Sequence, residues 1–479
     1  MITEIRIQNA RIFDGPIWSF PLNGLTILCG TNSAGKSTVL RCLLLLANNV
    51  QRGAAVGGAS GGVPLAFSSS ALDLGNFKSF VSHGDLQDQL HLGVSIEQVM
   101  QFENYKRLDS SMRGRLQEED DDPGAQFRQY QFDADFYFRG RQSFVQIEQT
   151  ESQQLLELKS EENDEDQASD HRAVLCSARF CIRAVDGQVL LSTDLIRKQR
   201  EGSSGVDYLL RMPKHLLDTE TEGVSYDYIE DSDREYGLLG VLMAGLLPER
   251  ARRVTRGSGA PTEDLPRFAS LPGFLEEAIA DLRGTLNRIA YLGPLRAAAR
   301  RYYPMFSDLS LRADFTGEQV PAILRDRGAS IVTSAMPVTH EVLRCSLLDA
   351  LDVWMYFIRT GEAKPQGVHR REIKVSSVQD AFVELAIRSM GGVESHALAD
   401  SGFGYSQVLP ILIRGLMLQP GGMLIIEQPE VHLNPGLQVR LSDFLAAMAL
   451  ANKQILIETH SEHVVNSLRA IAAEEMGDN

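Results

Sequence analysis

The sequence has little cysteine, no long apolar run and no excess of basic residues, and each shortage excludes a class of protein. Its five cysteines, Cys29, Cys42, Cys176, Cys181 and Cys345, are odd in number and show neither C-x-x-C nor zinc-finger spacing. That argues against a disulfide framework or a structural zinc site and leaves buried thiols as the expectation. No stretch approaches the ~20 apolar residues that cross a bilayer. The segment Met1-Ile-Thr-Glu-Ile-Arg-Ile-Gln8 also lacks the basic and apolar regions of a signal peptide. A cytoplasmic protein with no membrane partner is expected. Lys and Arg number 47 against 63 Asp and Glu, a formal charge of −16, so nucleic-acid binding is not indicated by net charge and any phosphate contact has to be local. Two local clusters exist, Arg250/Arg252/Arg253/Arg256 and Arg296/Arg300/Arg301. The first reads as solvated or salt-bridged surface.

What is present is a core-forming chain of 479 residues, 43% hydrophobic, long enough for about two to four domain-sized units. Near its start the apolar run Leu25-Thr-Ile-Leu28 feeds Gly30-Thr-Asn-Ser-Ala-Gly-Lys-Ser-Thr38 and then a helical pattern through Leu46. This is the strand, G-x-x-x-x-G-K-[ST] loop and helix order of a phosphate-binding P-loop, in which backbone N–H groups curl around phosphate oxygens. Gly30, Asn32, Ser33, Ala34, Gly35, Lys36, Ser37 and Thr38 are the candidate nucleotide-binding residues. Lys36 reaches the β- and γ-phosphates, and the Ser37 hydroxyl ligates Mg²⁺.

Alternation over Ile2–Phe13 predicts strands that begin the nucleotide lobe. The glycine-rich 52–64 stretch reads as a plain loop, since neither strand nor lysine accompanies it. From about 90 to 210, short strand-like runs broken by the acidic stretches 118–122 and 161–166 predict an antiparallel insertion with solvated acidic loops. Helical patterns are predicted over Glu235–Leu247 and Pro272–Leu286, the latter with Phe274, Leu275, Ala278, Ile279, Leu282 and Leu286 on one apolar face. The continuous apolar runs Met423–Ile426 and Gln454–Ile457, separated by an amphipathic stretch from Leu437 to Ala449, predict a βαβ unit buried on both faces. The domain expectation is an N-terminal ATPase lobe over 1–85, an inserted strand-rich then helical region over 86–290, and a C-terminal ATPase lobe over 291–479.

Glu427-Gln-Pro-Glu-Val-His-Leu-Asn-Pro435 follows the first of those apolar strands, where a P-loop enzyme needs an acidic group for Mg²⁺, and so reads as a Walker B segment. Glu458-Thr-His-Ser461 ends the second strand and presents His460 toward the γ-phosphate or the attacking water. Before both, Asp400-Ser-Gly-Phe-Gly-Tyr-Ser-Gln407 opens a helix. The order P-loop, glycine/serine signature helix, Pro-Glu-x-His-Leu-x-Pro Walker B and Thr-His-Ser resembles the ABC-type ATPase heads. That class includes repair ATPases of the RecF and SMC kind and the overcoming-lysogenization-defect nucleases. More specifically, it resembles prokaryotic AAA-family ATPases found near phage-defence genes, which share Tyr291-Leu-Gly-Pro-Leu-Arg296 as well. The resemblance covers roughly 1–85 and 290–470.

The resemblance implies an α/β fold, an ABC-type P-loop head with a mixed sheet and flanking helices, carrying an inserted α+β middle region. It implies ATP and Mg²⁺ as cofactors, Ser37 and Glu427 as metal ligands, and Glu427, Gln428, Glu430 and His460 as the catalytic set. It also implies a homodimer that sandwiches ATP, in which Ser401, Gly402 and Gly404 of one copy meet the γ-phosphate held by the other, with Gln407 capping the signature turn. The usual Asp-Glu pair is Glu427-Gln428 here. An amide cannot accept the water's proton, and general-base help is typically worth ~10²–10⁴ in rate, so hydrolysis is expected to be slow unless Glu430, His460 or Glu458 substitutes. The expected function is an ATPase sensor or scaffold controlling a separate effector, such as a nuclease, in antiviral defence or DNA maintenance. The alternative is an ATP-dependent nuclease or DNA-repair ATPase acting directly on DNA. Against the nuclease reading, the chain leaves little room after His460 for a metal-binding nuclease domain, and Asp133 and Asp135 lack a surrounding acidic constellation. A transporter's nucleotide-binding subunit is disfavoured by the Walker B form and the large insertion.

Overall fold

Four apolar segments from three distant parts of the sequence form one parallel sheet. They are strands β1 (Leu25–Cys29), β2 (Ile289–Leu292), β3 (Met423–Glu427) and β4 (Gln454–Thr459), in the spatial order β2-β3-β4-β1. In this computed structural model the described residues are 1–50, 55–56, 63–67, 74–85, 87–101, 104, 107–108, 127–140, 173–199, 206–217, 226, 228–252, 268–304, 316–365, 371–378, 382–388, 395–401 and 403–477. The two expected acidic loops, Arg253, Arg256, Gly402 and most of the 52–64 stretch lie outside them.

Every residue of β3 and β4 is buried, the pattern of strands covered on both faces. Helix α1 (Lys36–Val50) follows β1, helix α2 (Phe403–Met417) leads into β3, helix α3 (Pro435–Leu450) joins β3 to β4, and helix α4 (Glu462–Gly477) follows β4. Pro435 at the start of α3 presets a helical φ, and the Asn434 side chain accepts the Leu437 N–H at 2.9 Å, satisfying an N-terminal donor that the helix cannot. Leu437, Leu441, Phe444, Leu445 and Met448 of α3 are all buried, as their spacing predicts. Trp354 of the helix Leu347–Thr360 packs edge-on against Phe444 at 5.0 Å, and its ring N–H donates to Ala335 O and Ser334 Oγ, both at 3.2 Å. Burying an indole requires such a partner for its N–H.

The chain divides into two compact units, Met1–Pro21 with Arg41–Asn287, and Leu22–Leu40 with Arg288–Asn479. The parallel sheet and its helices make the second. The expected 1–85 lobe is therefore split, with Leu22–Leu40 grouping with the C-terminal residues because β1 pairs with β4. The first unit is built on an antiparallel sheet in which Leu90–Gln101, Phe127–Gly140, Ala173–Ala184, Val189–Gln199 and Val206–Pro213 are consecutive neighbours. One face is apolar, with Leu92, Val94, Ile96, Phe132, Phe136 and Phe180 buried. The other carries ion pairs.

The helix Gly273–Asn287 forms as predicted, with the six predicted apolar positions buried. The helix predicted over 235–247 does not form: Tyr236–Ala244 and Leu247–Arg252 are paired antiparallel strands. The apolar richness of this stretch concealed its period, since Tyr236–Ala244 alternates half-buried with buried, the two-residue repeat of a strand, and Gly237 and Gly240 weaken a helix. The cysteine expectation also needs correction. Cys42 and Cys181 are buried, Cys176 and Cys345 are half-buried, and Cys29 is exposed at the end of β1.

Candidate functional site

All four parallel strands point their carboxyl ends to one edge of the sheet, the edge outside which open α/β sheets bind ligands. Register puts Glu427 beside Glu458 and Thr459 beside Cys29. The P-loop, the Walker B turn and the Thr459-His460 turn thus leave neighbouring strands at the same edge.

The loop after β1 alternates backbone hand: Gly30 has φ +145°, Ser33 +64° and Gly35 +85°. Those values favour glycine at Gly30 and Gly35 and turn successive N–H groups into one concavity. Asn32, Ser33 and Ala34 are exposed, while Thr38 is buried in the first turn of α1. Lys36 is 8% exposed, and its ammonium donates to Gly30 O at 3.0 Å and Thr31 O at 2.7 Å, so it is held within the loop.

Ser37, expected as a metal ligand together with Glu427, makes its contact with the strand that lies between them. Its hydroxyl donates to Glu458 Oε1 at 2.9 Å, because β4 lies between β1 and β3. Glu458 is 4% exposed, and its Oε2 has no hydrogen-bond partner. An unpaired carboxylate oxygen is costly to bury, and with a hydroxyl beside it and phosphates supplied by a nucleotide it forms the hard oxygen set that Mg²⁺ takes. Those residues fit the metal. Glu427, one strand further over, accepts a hydrogen bond from the Tyr291 hydroxyl at Oε1, 2.9 Å.

After β3 the chain turns sharply. Gln428 adopts φ +46°, a left-handed conformation that costs a non-glycine residue about 1–3 kcal/mol and persists only where neighbours enforce it. Its N–H donates to Glu458 O at 2.7 Å. Arg296 Nη2 donates to Glu427 O at 3.0 Å and Gln428 O at 3.1 Å. Beyond the turn, Glu430 Oε1 accepts the His460 backbone N–H at 2.8 Å, while Glu430 Oε2 is unpaired and the His460 side chain is exposed. Glu430, His460 and the Gln428 turn are therefore one connected unit. Sequence reasoning grouped Arg296 with Arg300 and Arg301 as a local basic cluster. The structure separates them: Arg300 pairs with Glu318 and Arg301 with Asp400, both exposed, while Arg296 is buried at the Walker B turn.

The signature segment lies before α2. The Ser401 hydroxyl donates to Leu398 O at 2.6 Å. Gly404 faces α3 closely enough that a Cβ would come within 3.3 Å of Leu437 Cδ1. Gln407 does not cap the turn, being buried inside α2 with its amide 3.5 Å from the Ser406 hydroxyl.

Residues 354–465, about a quarter of the chain, match the family model described as AAA ATPase domain. That segment is similar to the AAA ATPase domain family. It spans Asp400–Gln407, Glu427–Pro435 and Glu458–Ser461, and β1 completes the sheet that β3 and β4 begin. No curated protein matches the chain. Among solved structures, an SMC head bound to the C-winged helix domain of ScpA aligns over 97% of this chain and 91% of its own, at 10% identity and a TM-score of 0.36. The SMC head of Thermotoga maritima gives 8% and 0.35 over the same shares. An Smc head from Pyrococcus furiosus with an extended coiled coil, bound to the C-terminal domain of ScpA, gives 9% and 0.35, again over 97% and 91%. Likenesses at this level bear on neither partner nor activity.

Asp133 and Asp135, which the sequence shows without a surrounding acidic constellation, bear on the nuclease alternative. Both stand on the polar face of the antiparallel sheet beside a cavity of about 580 Å³. Asp133 accepts from Arg183 and Ser95, and Asp135 from Arg6 and His91, all at 2.7–2.8 Å. Burial pushes the Asp135 carboxyl up, but those hydrogen bonds outweigh it and hold it below its ordinary value. Among the described residues no group of three or more His, Cys, Asp and Glu could hold a metal.

Proposed function

We propose that this chain is an ATP-binding, slowly hydrolysing ABC-type ATPase that dimerises on ATP and works as a sensor or scaffold for a separate effector in antiviral defence or DNA maintenance. The observation that carries the nucleotide part is the convergence of Lys36, Ser37, Glu458, the Gln428 turn and His460 at one sheet edge. Gly30–Thr38 would cradle the phosphates, with the N-terminus of α1 adding positive potential. Mg²⁺ would be held by Ser37 and Glu458, with Glu427 one strand away, and would neutralise charge developing on the phosphates. Glu430 Oε2 is the candidate base in place of the Gln428 amide, and His460, whose backbone N–H Glu430 accepts, would meet the γ-phosphate. Ser401, Gly402 and Gly404 would complete the site across a dimer. The effector and the defence or repair setting rest on the family resemblance.

Light scattering of the purified chain with ATP and Mg²⁺ tests the dimer. The mass should double, or a pre-existing dimer should compact, and Lys36→Ala should abolish the response. A wild-type chain that binds ATP yet stays monomeric would overturn the sandwich.

A further inference from the structure

We infer that Tyr291 and Arg296 are positioning residues: one segment sets both the carboxylate and the backbone of the Walker B turn. The segment continues from β2, which pairs in parallel with β3 so that Leu292 lies beside Ile426. Side-chain burial along it is inverted. Leu295 is 81% exposed, while the neighbouring Arg296 is 7% exposed and, among the described residues, has no ion-pair partner. Its Nε and Nη1 make no hydrogen bond among the described residues, so the bonds from Nη2 are what offset the cost of burying the charge. Burial lowers Arg296 to about 10, with Glu430 opposing the shift, so it stays charged at neutral pH.

What it holds is the left-handed turn. Arg296 Nη2 takes the carbonyls of both Glu427 and Gln428. The Gln428 carbonyl also accepts from Val431 N, and Leu433 N donates to Glu430 O, closing the loop that carries Glu430 to His460. From five residues earlier on the same segment, within β2, Tyr291 fixes one oxygen of Glu427. Arg296 touches main chain alone in this set, so it acts through the turn and on no reacting atom.

Hydrogen exchange in the absence of nucleotide tests the clamp independently of the ATPase reading on which its catalytic consequence rests. Arg296→Ala should speed exchange of the 428–433 and 459–461 amides by about tenfold or more while the rest of the second unit keeps its protection. Adding Gln428→Asn, which tolerates positive φ better, should return most of that protection. In the catalytic assay, Arg296→Ala should lower kcat by about 10²-fold through misplacement, with nucleotide affinity within about threefold of wild type. If Arg296→Ala does not fold, Arg296→Lys carries the same test. Unchanged exchange at the turn, or a rise spread evenly over the unit, overturns the clamp. A wild-type chain that binds no nucleotide would overturn the proposed function and leave the exchange result to decide the clamp.

Discussion

In the proposed function Gln428 takes the place of a catalytic carboxylate, and its left-handed φ shows that the surroundings hold this position tightly. Turnover should lie below the ~1 s⁻¹ lower end of typical enzymes. Gln428→Glu should raise single-turnover hydrolysis by supplying a base, whereas Glu430→Gln should slow it about 10²-fold or more if Glu430 Oε2 takes the proton. Fast wild-type hydrolysis indifferent to Glu430, Glu458 and His460 would show the base to be elsewhere. Lys453 supplies a separate test at this scale. It is fully buried, donates to Gly415 O and Leu416 O at the end of α2, and is lowered by burial to about 7 from 10.5. Between pH 7 and 10 the unfolded chain therefore holds more protons than the folded one, and stability rises with pH across that window. Below pH 7 both states carry the charge and the contribution is flat. Urea midpoints at pH 6 and pH 9 should show this rise in wild type and a smaller one in Lys453→Met.

The elements of the site were legible where their signals were local. Strand, loop and helix around Lys36 follow from glycine spacing. The β3-α3-β4 unit follows from two all-apolar runs with an amphipathic helix between them. Strand order was not legible, because the pairing of β1 with β4 joins residues more than 400 positions apart and no periodicity records it. That order is what brings the Ser37 hydroxyl to Glu458. Arg296 ends Tyr291-Leu-Gly-Pro-Leu-Arg296, yet an arginine next to Leu295 and close to Arg300 and Arg301 carries no signal of burial. The strand Tyr236–Ala244 was misread because hydrophobicity outweighed its alternation. Packing between α2 and α3 yields a prediction at this scale. A Cβ on Gly415 would come within 2.7 Å of Phe444 Cζ, so Gly415→Ala should destabilise the protein by about 1–3 kcal/mol, read as a lower thermal midpoint, despite better helix propensity.

At the scale of the whole molecule, the residues of the proposed nucleotide site all belong to the second unit, formed by Leu22–Leu40 and Arg288–Asn479. The antiparallel unit supplies none of its named residues. Its polar face is charge-compensated, with Asp133 and Asp135 each bound by a cation or imidazole. The chain alone should therefore leave plasmid, linear duplex and single-stranded DNA intact with Mg²⁺ or Mn²⁺. Cleavage that survives repurification and is lost in Asp133→Asn or Asp135→Asn would return the nuclease reading. The central claim is narrower: ATP and Mg²⁺ are held by the P-loop together with Glu458. Calorimetric titration with ATP, with Mg²⁺ and with EDTA, tests it most directly on wild type, Lys36→Ala and Glu458→Gln. Wild type should bind, Lys36→Ala should weaken binding by about 10²-fold, and Glu458→Gln should lose most of the gain that Mg²⁺ confers. Lys36→Ala binding as tightly as wild type, or Glu458→Gln keeping the full Mg²⁺ dependence, would contradict the account.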